Sequence, residues 1–338
     1  MTPGRARAGR AVVLAALAAA LPGAALAAAG DAVLDALMAE HWEFSLQEDP
    51  VLATRVGLAS GNDRLPGATP ADDARRLARE RGFRARLADI DRDRLSEAGR
   101  VNADVFGWIL DDSIGAYELD LARIPFNTFS GFFMYALTAS NGVRMETERD
   151  YVDYLARLRD IPRYFDENIA NMRRGDNDDF VLPRIVIDGV LPTLRAQVKD
   201  DPSDSSFYDP FESMSERVPA DRQAELREEA KSVIAGDVMP AFARVADFLD
   251  TDYQASTSLG AEVLPGGEAY YAFQIRRYTT LTGTTAEEIH RIGLDEVRRI
   301  RADMQAIIDE LEFDGDFAAF AEFLRTDPQF YADSPEQL

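Results

Sequence analysis

Histidine is scarce in this chain: only His41 and His290 occur, and cysteine is absent. A zinc site built from three imidazoles is therefore excluded, as are thiolate metal sites, cysteine nucleophiles and disulfides. No His-Glu-x-x-His pair can be written anywhere. Glu287-x-x-His290 does place a carboxylate and an imidazole three residues apart on one helix, the spacing used in di-iron bundles. Those bundles need the motif twice, and Met38 stands where His41 would need its glutamate. In the simpler reading Glu287 and Glu288 complement the helix dipole while His290 packs or hydrogen-bonds locally.

Nucleophilic and nucleotide chemistry find no better footing. No Gly-x-Ser-x-Gly elbow occurs, and Ser130-Gly131 lacks the leading glycine. Neither phosphate-binding glycine pattern is present. With 60 acidic residues, no carboxylate pair stands out as glycosidase-like. The acidic strings near Asp176 and Asp200 lack the alternating ligands, glycine and distant glutamate of a calcium loop, and read as solvated loops. No catalytic residue and no metal ligand is assigned within the chain.

Binding chemistry is more visible. Gly266-Gly267-Glu268-Ala269-Tyr270-Tyr271 runs on through Arg276-Arg277-Tyr278 to a capped helix start at Thr285 and Glu288. Tyr270, Tyr271, Arg276, Arg277 and Tyr278 are the candidate substrate contacts. An arginine can hold a peptide carboxylate through two parallel hydrogen bonds, and a tyrosine can donate to a carbonyl or its oxyanion. The competing reading is structural, because Tyr271, Ile275 and Tyr278 also sit at helical core spacing and arginines commonly cover helix flanks.

The elements that must position these residues read as helices almost throughout. Val33, Leu34, Leu37, Met38, Trp42 and Leu46 recur at helical steps and predict a buried face on a helix ended by Asp49-Pro50. A loop over 62–70 precedes a long arginine-rich helix opened by Pro70. A helix over 96–121 is expected to bury Val101, Val105, Trp108, Ile109 and Ser113. The aromatic run from Ile124 to Tyr135 either fills a core or lines a cleft.

Thr147 with Asp150 caps a helix expected to stop at Gly175, Pro183 opens another, and a stretch over 219–250 is expected to break around Gly236 to Pro240. The last long helix carries an apolar stripe from Ile289 through Ile300 to Leu311. No alternating strand pattern is sustained, so the fold class is all-α.

Residues 1–27 have the pattern of a secretory leader: Arg5, Arg7 and Arg10 precede an apolar run, and Ala25-Leu26-Ala27 supplies a small-residue cleavage site. Pro22-Gly23 interrupts the run too early for a membrane span. Cleavage leaves a helical domain over 28–338 with no stable membrane anchor, exported to the periplasm or beyond. Losing three arginines and no acid takes the formal charge from −23 to −26. Such a chain repels nucleic acid and anionic lipid.

Several segments in order resemble one known family. They are Glu40-His41-Trp42-Glu43-Phe44, Glu48-Asp49-Pro50, Ala53-Thr54-Arg55-Val56-Gly57, Tyr154-Leu155-Ala156-Arg157-Leu158, Arg173-Arg174-Gly175 with Leu182-Pro183-Arg184, and most specifically 267–294. The family is the bacterial domain of unknown function 885. The resemblance implies a large multi-helix array similar to helical zinc carboxypeptidases and oligopeptidases. It also implies a His-Glu-x-x-x-Gly-His type zinc motif on a later helix, where metal-activated water attacks a peptide carbonyl.

None of those motif residues is present here. The expectation is therefore the amino-terminal part of an exported zinc-dependent peptidase-like protein, incomplete at its C-terminus, that contributes peptide contacts while zinc belongs to the full-length member. The alternative is a non-catalytic helical module that binds peptides or another protein. An esterase or glycosidase reading lacks a nucleophile motif.

Overall fold

A computed structural model describes residues 29–332 and 334–337, and the leader expected over residues 1–27 lies outside them. The chain falls into two compact units, one ending at Gly267 and the other beginning at Glu268. Among the described residues, β pairing is limited to two isolated bridges, Phe126 with Gly131 and Pro183 with Ser256, so the fold is all-α as expected.

Three helices of the first unit form a small pile: α1 over residues 29–48, α3 (Pro70–Ala88) and α4 (Glu97–Glu118). Between α1 and α3 comes the short α2 (Pro50–Arg55), which Asp49 caps by accepting from the Leu52 amide at 2.9 Å. Thr69 and Asp72 form a capping box on α3, and Ser96 accepts from the Gly99 amide to start α4. Leu34, Leu37, Phe83, Leu87, Ala103, Phe106 and Leu110 pack together between the helices.

The faces of α1 and α4 correct the sequence reading. Val33 and Trp42 are exposed, as are Val101, Val105 and Ile109, while α4 turns Gly99, Ala103, Phe106, Gly107 and Leu110 inward. Small residues at 99, 103 and 107 let the neighbouring helices approach. A Cβ at Gly99 would lie 2.0 Å from Asp31 Oδ1, the atom that accepts from the Ser96 amide at 3.0 Å. Steric fit, not summed hydrophobicity, selects the buried face.

The larger core surrounds α6 (Glu148–Asn177), with α5 (Phe133–Leu137), α7 (Arg184–Arg195), the short α8 (Asp209–Glu212), α9 (Ala220–Val233) and α10 (Met239–Asp247) contributing around it. The Thr147 and Asp150 capping box appears as expected. The aromatic run divides between its two readings: Phe126, Phe132 and Phe133 are core, and Phe132 meets Phe165 edge-on at 5.3 Å. Phe129 is 93% exposed, and Tyr135 lines a cavity.

Two expected helix ends are overridden. Helix α6 passes Gly175, which is buried and closely approached: a Cβ there would sit 2.7 Å from the Phe180 carbonyl oxygen. Instead of a break before Pro240, a π-helical turn at Ile234–Val238 joins α9 to α10. The wider turn accommodates a proline that lacks an N–H without ending the helix.

The second unit contains α11 (Gly267–Thr279), α12 (Ala286–Glu310) and α13 (Phe317–Thr326). The predicted capping box of Thr285 with Glu288 is present. Phe313, Phe320, Phe323 and Phe330 form an aromatic cluster in this unit, with Phe313 and Phe320 centroids 5.1 Å apart. Along α12, Ile308 is buried, whereas Ile292, Val297, Ile300, Met304, Ile307 and Leu311 are exposed. Among the described residues no helix is long and apolar enough to cross a membrane.

Candidate functional site

Within the first unit, a cavity of about 380 Å³ opens where the small pile meets the large core. Helix α1 supplies Phe44, Ser45 and Glu48; Asp49 and Leu52 follow from the α2 cap; α3 supplies Asp73, Arg76 and Glu80; α4 supplies Tyr117; α5 supplies Tyr135; and α6 supplies Tyr164, Asn168 and Asn171. The segment 66–68 closes one side.

That closing segment is held by α6 through charge-assisted hydrogen bonds. Asp160 accepts from the Leu65 amide at 2.8 Å, Glu167 accepts from the Ala68 amide at 2.8 Å, and Asn171 donates to the Ala68 carbonyl at 2.6 Å. Arg163 joins Asp160 and Glu167 and reaches the carbonyls of Leu65 and Pro66. A loop pinned at both faces keeps the cavity wall ordered.

Arg76 is the cavity's one lining guanidinium, and each of its nitrogens is engaged. Nε donates to Glu48 at 2.9 Å, Nη1 to Asp73 at 3.1 Å and Nη2 to the Gly67 carbonyl at 2.7 Å. Arg75 also pairs with Glu48. Although burial works against ionisation of Glu48, the hydrogen bonds from Arg75 and Arg76 hold its carboxyl below the usual range. Burial wins at Asp73 and raises its carboxyl, with Arg76 opposing.

The remaining acids have different partners. Asp49 accepts the Tyr135 hydroxyl at 3.1 Å and the Leu52 amide, and forms no ion pair with any described residue. Glu80, almost fully buried, faces His41 Nε2 at 3.1 Å, and the His41 ring packs edge-on against Phe83 and Phe106. Burial pushes the Tyr117 and Tyr135 phenols up to about 12 and raises Tyr164 further. All three are therefore neutral at ordinary pH, able to donate and to accept.

Asn168 is 4% exposed and lines the cavity. Its Nδ2 donates to the Tyr164 carbonyl at 2.8 Å, while its Oδ1 accepts from no described residue. Four carboxylates, three phenols and two carboxamides against one guanidinium make a site rich in acceptors. It suits a ligand that brings hydrogen-bond donors and positive charge.

The five residues singled out from sequence lie elsewhere, all on α11 in the second unit. Spacing of seven puts Tyr271 and Tyr278 on one face and Tyr270 and Arg277 on another. Tyr271 and Tyr278 are exposed, Tyr278 at 79%. Arg276 and Arg277 lie over the Phe273 ring at 5.6 and 4.7 Å, a cation–π arrangement that fixes them along the helix. The five share a helix but not a face.

Zinc takes three or four imidazole, thiolate or carboxylate donors, and among the described residues no group of three such side chains is placed to hold a metal ion. The residues described do not fit the zinc that the family resemblance implies.

No protein with curated annotation matches the chain in sequence. The fold is similar to the crystal structure titled as the putative lipoprotein from Colwellia psychrerythraea, at 18% identity with a TM-score of 0.77. The match covers 90% of this chain and 56% of that one, so this chain spans little more than half the length of the solved protein. The profile of the bacterial proteins of unknown function called DUF885 matches residues 50–338, and the chain belongs to that family.

Proposed function

We propose that this chain is the peptide-binding part of an exported, zinc-dependent peptide hydrolase, with the metal donors supplied by residues other than those described. The observation that carries the binding role is the ordered cavity of about 380 Å³, with its excess of carboxylate, phenol and carboxamide oxygens facing a pinned loop. A peptide offers what such a wall recognises: backbone N–H donors, side chains small enough to enter and a cationic end. The hydrolase part rests on the family resemblance in the sequence. Export is supported by the leader pattern over 1–27 and by the description of the structural neighbour as a lipoprotein.

The test compares this chain with the full coding sequence in which it occurs. Peptide binding is read by fluorescence polarisation, turnover by internally quenched peptides, and zinc by elemental analysis. The expected result is binding without turnover for this chain, and both, with about one zinc, for the full protein. Absence of peptide binding overturns the role given to the cavity, and turnover by this chain alone overturns the division of labour.

A second reading, a non-catalytic peptide- or protein-binding module, is favoured by the lack of a three-donor group among the described residues. Peptide binding without zinc or turnover in both proteins would select it.

A further inference from the structure

Resting on the peptide-binding reading, the chemistry of the cavity narrows which part of a peptide enters it. The lining carboxylates Glu48, Asp49, Asp73 and Glu80 outnumber the lone guanidinium of Arg76, whose three nitrogens are already engaged with Glu48, Asp73 and Gly67. An anionic ligand would meet net negative charge and find no free cation. A divalent ion would need several convergent oxygens, and no group of three acidic or histidine side chains is so placed among the described residues.

Two acceptors stand ready. Asp49 has no cationic partner among the described residues and is oriented by the Leu52 amide and the Tyr135 hydroxyl. Asn168, 4% exposed, keeps its Nδ2 on the Tyr164 carbonyl and leaves Oδ1 without a donor from any described residue. A carboxamide oxygen that takes no donor from the described residues and lines the cavity is open to one supplied by an incoming group. The phenols of Tyr117, Tyr135 and Tyr164 add further hydroxyl oxygens and aromatic surface.

We propose that this cavity binds a primary ammonium group, the free α-amine of a peptide or a lysyl side chain, between Asp49, Asn168 and the tyrosine walls. An ammonium brings three donors and no acceptor, matching a wall of acceptors, and its charge is attracted by both carboxylates and ring faces. The flanking volume accommodates the residue that carries it.

Three C-terminally labelled hexapeptides of one apolar sequence test this with the intact chain: one with a free amino terminus and no lysine, one acetylated with a single lysine, and one acetylated without lysine. Either or both amine-bearing peptides are expected to bind about ten-fold more tightly than the fully blocked one, as a charge-assisted hydrogen bond implies. Whichever does so identifies the source of the ammonium.

Asp49→Asn, whose carboxamide can still cap α2, and Tyr117→Phe, checked for retained helicity, are each expected to erase most of that advantage. Equal binding of all three peptides overturns the ammonium assignment and leaves the peptide-binding reading standing. Binding of none overturns both. An advantage that survives both substitutions places ammonium recognition outside this cavity and overturns the assignment.

Discussion

Arg157 on α6 donates from its guanidinium to the Thr54 hydroxyl on α2, joining residues 103 apart in sequence within the interior. The same guanidinium reaches the Ala139 carbonyl at 2.7 Å and the Gly61 carbonyl, and Thr54 in turn donates to Asn62 at 2.7 Å. Arg157 is fully buried and pairs with no carboxylate among the described residues. Burial, the largest influence, lowers its guanidinium to about 10, so it is charged at neutral pH and depends on oxygen dipoles for its solvation.

Arg157→Met should therefore cost about 3 kcal/mol, because three buried oxygens lose their donor while the side-chain volume is nearly kept. Urea unfolding followed by circular dichroism measures it. A loss below about 0.5 kcal/mol would show that the α2 region does not rely on this residue.

Tyr135→Phe tests a bond on the cavity wall itself. It removes the hydroxyl that Asp49 accepts at 3.1 Å without opening a void, and should cost about 1 kcal/mol of stability. Because the phenol is held near 12, as that of Tyr117 is, ultraviolet titration of the wild type should show several tyrosines ionising well above the ordinary value, and one fewer in the variant. An unchanged titration curve would contradict the burial of that hydroxyl.

The pH dependence of stability has opposite contributions from neighbouring acids. Burial raises Asp73 in the folded state, opposed by Arg76 and assisted by the charges of Asp120 and Asp72. Its stabilising contribution is present below the unfolded pKa and lost as pH rises through the folded one. Glu48 is lowered by Arg75 and Arg76, so its contribution is present above the unfolded value and lost as pH falls through the folded one. Asp73→Asn should consequently raise the thermal midpoint at pH 7, with the gain shrinking as pH falls into the ordinary carboxylate range. A midpoint lowered at pH 7 would mean that the ion pair with Arg76 outweighs desolvation.

What the sequence made legible was local. The capping boxes at Thr147 and Thr285, the proline starts and the all-α class each depend on residues a few positions apart, and the structure shows them. The face of α4 was not legible, because Val101, Val105 and Ile109 are more hydrophobic than the Gly99, Ala103 and Gly107 that close packing requires.

The cavity was hidden for a related reason. Asp49, Asp73, Tyr117 and Tyr164 lie far apart in sequence, and only the fold brings the lining together from six helices and a loop. The one available signal was Glu48-Asp49-Pro50, a landmark of the family resemblance whose two acids line the site. The α11 tyrosines and arginines were conspicuous because they are contiguous, and contiguity says nothing about distant partners.

Helix α12 supplies the last prediction. Val297, Ile300, Met304, Ile307 and Leu311 are exposed at alternating spacings of three and four, which makes one apolar stripe along the helix. Contiguous exposed apolar surface drives association in water. The isolated chain should bind a hydrophobic dye and sediment as species larger than a monomer, increasingly so at higher concentration. Ile300→Glu together with Ile307→Lys breaks the stripe four and three residues from its remaining members while leaving the Thr285 capping box and buried Ile308 intact. The double variant should lose most dye binding and sediment as a monomer with unchanged helicity. Sedimentation of the unsubstituted chain as a monomer at every concentration, without dye binding, would show that the stripe is covered in solution.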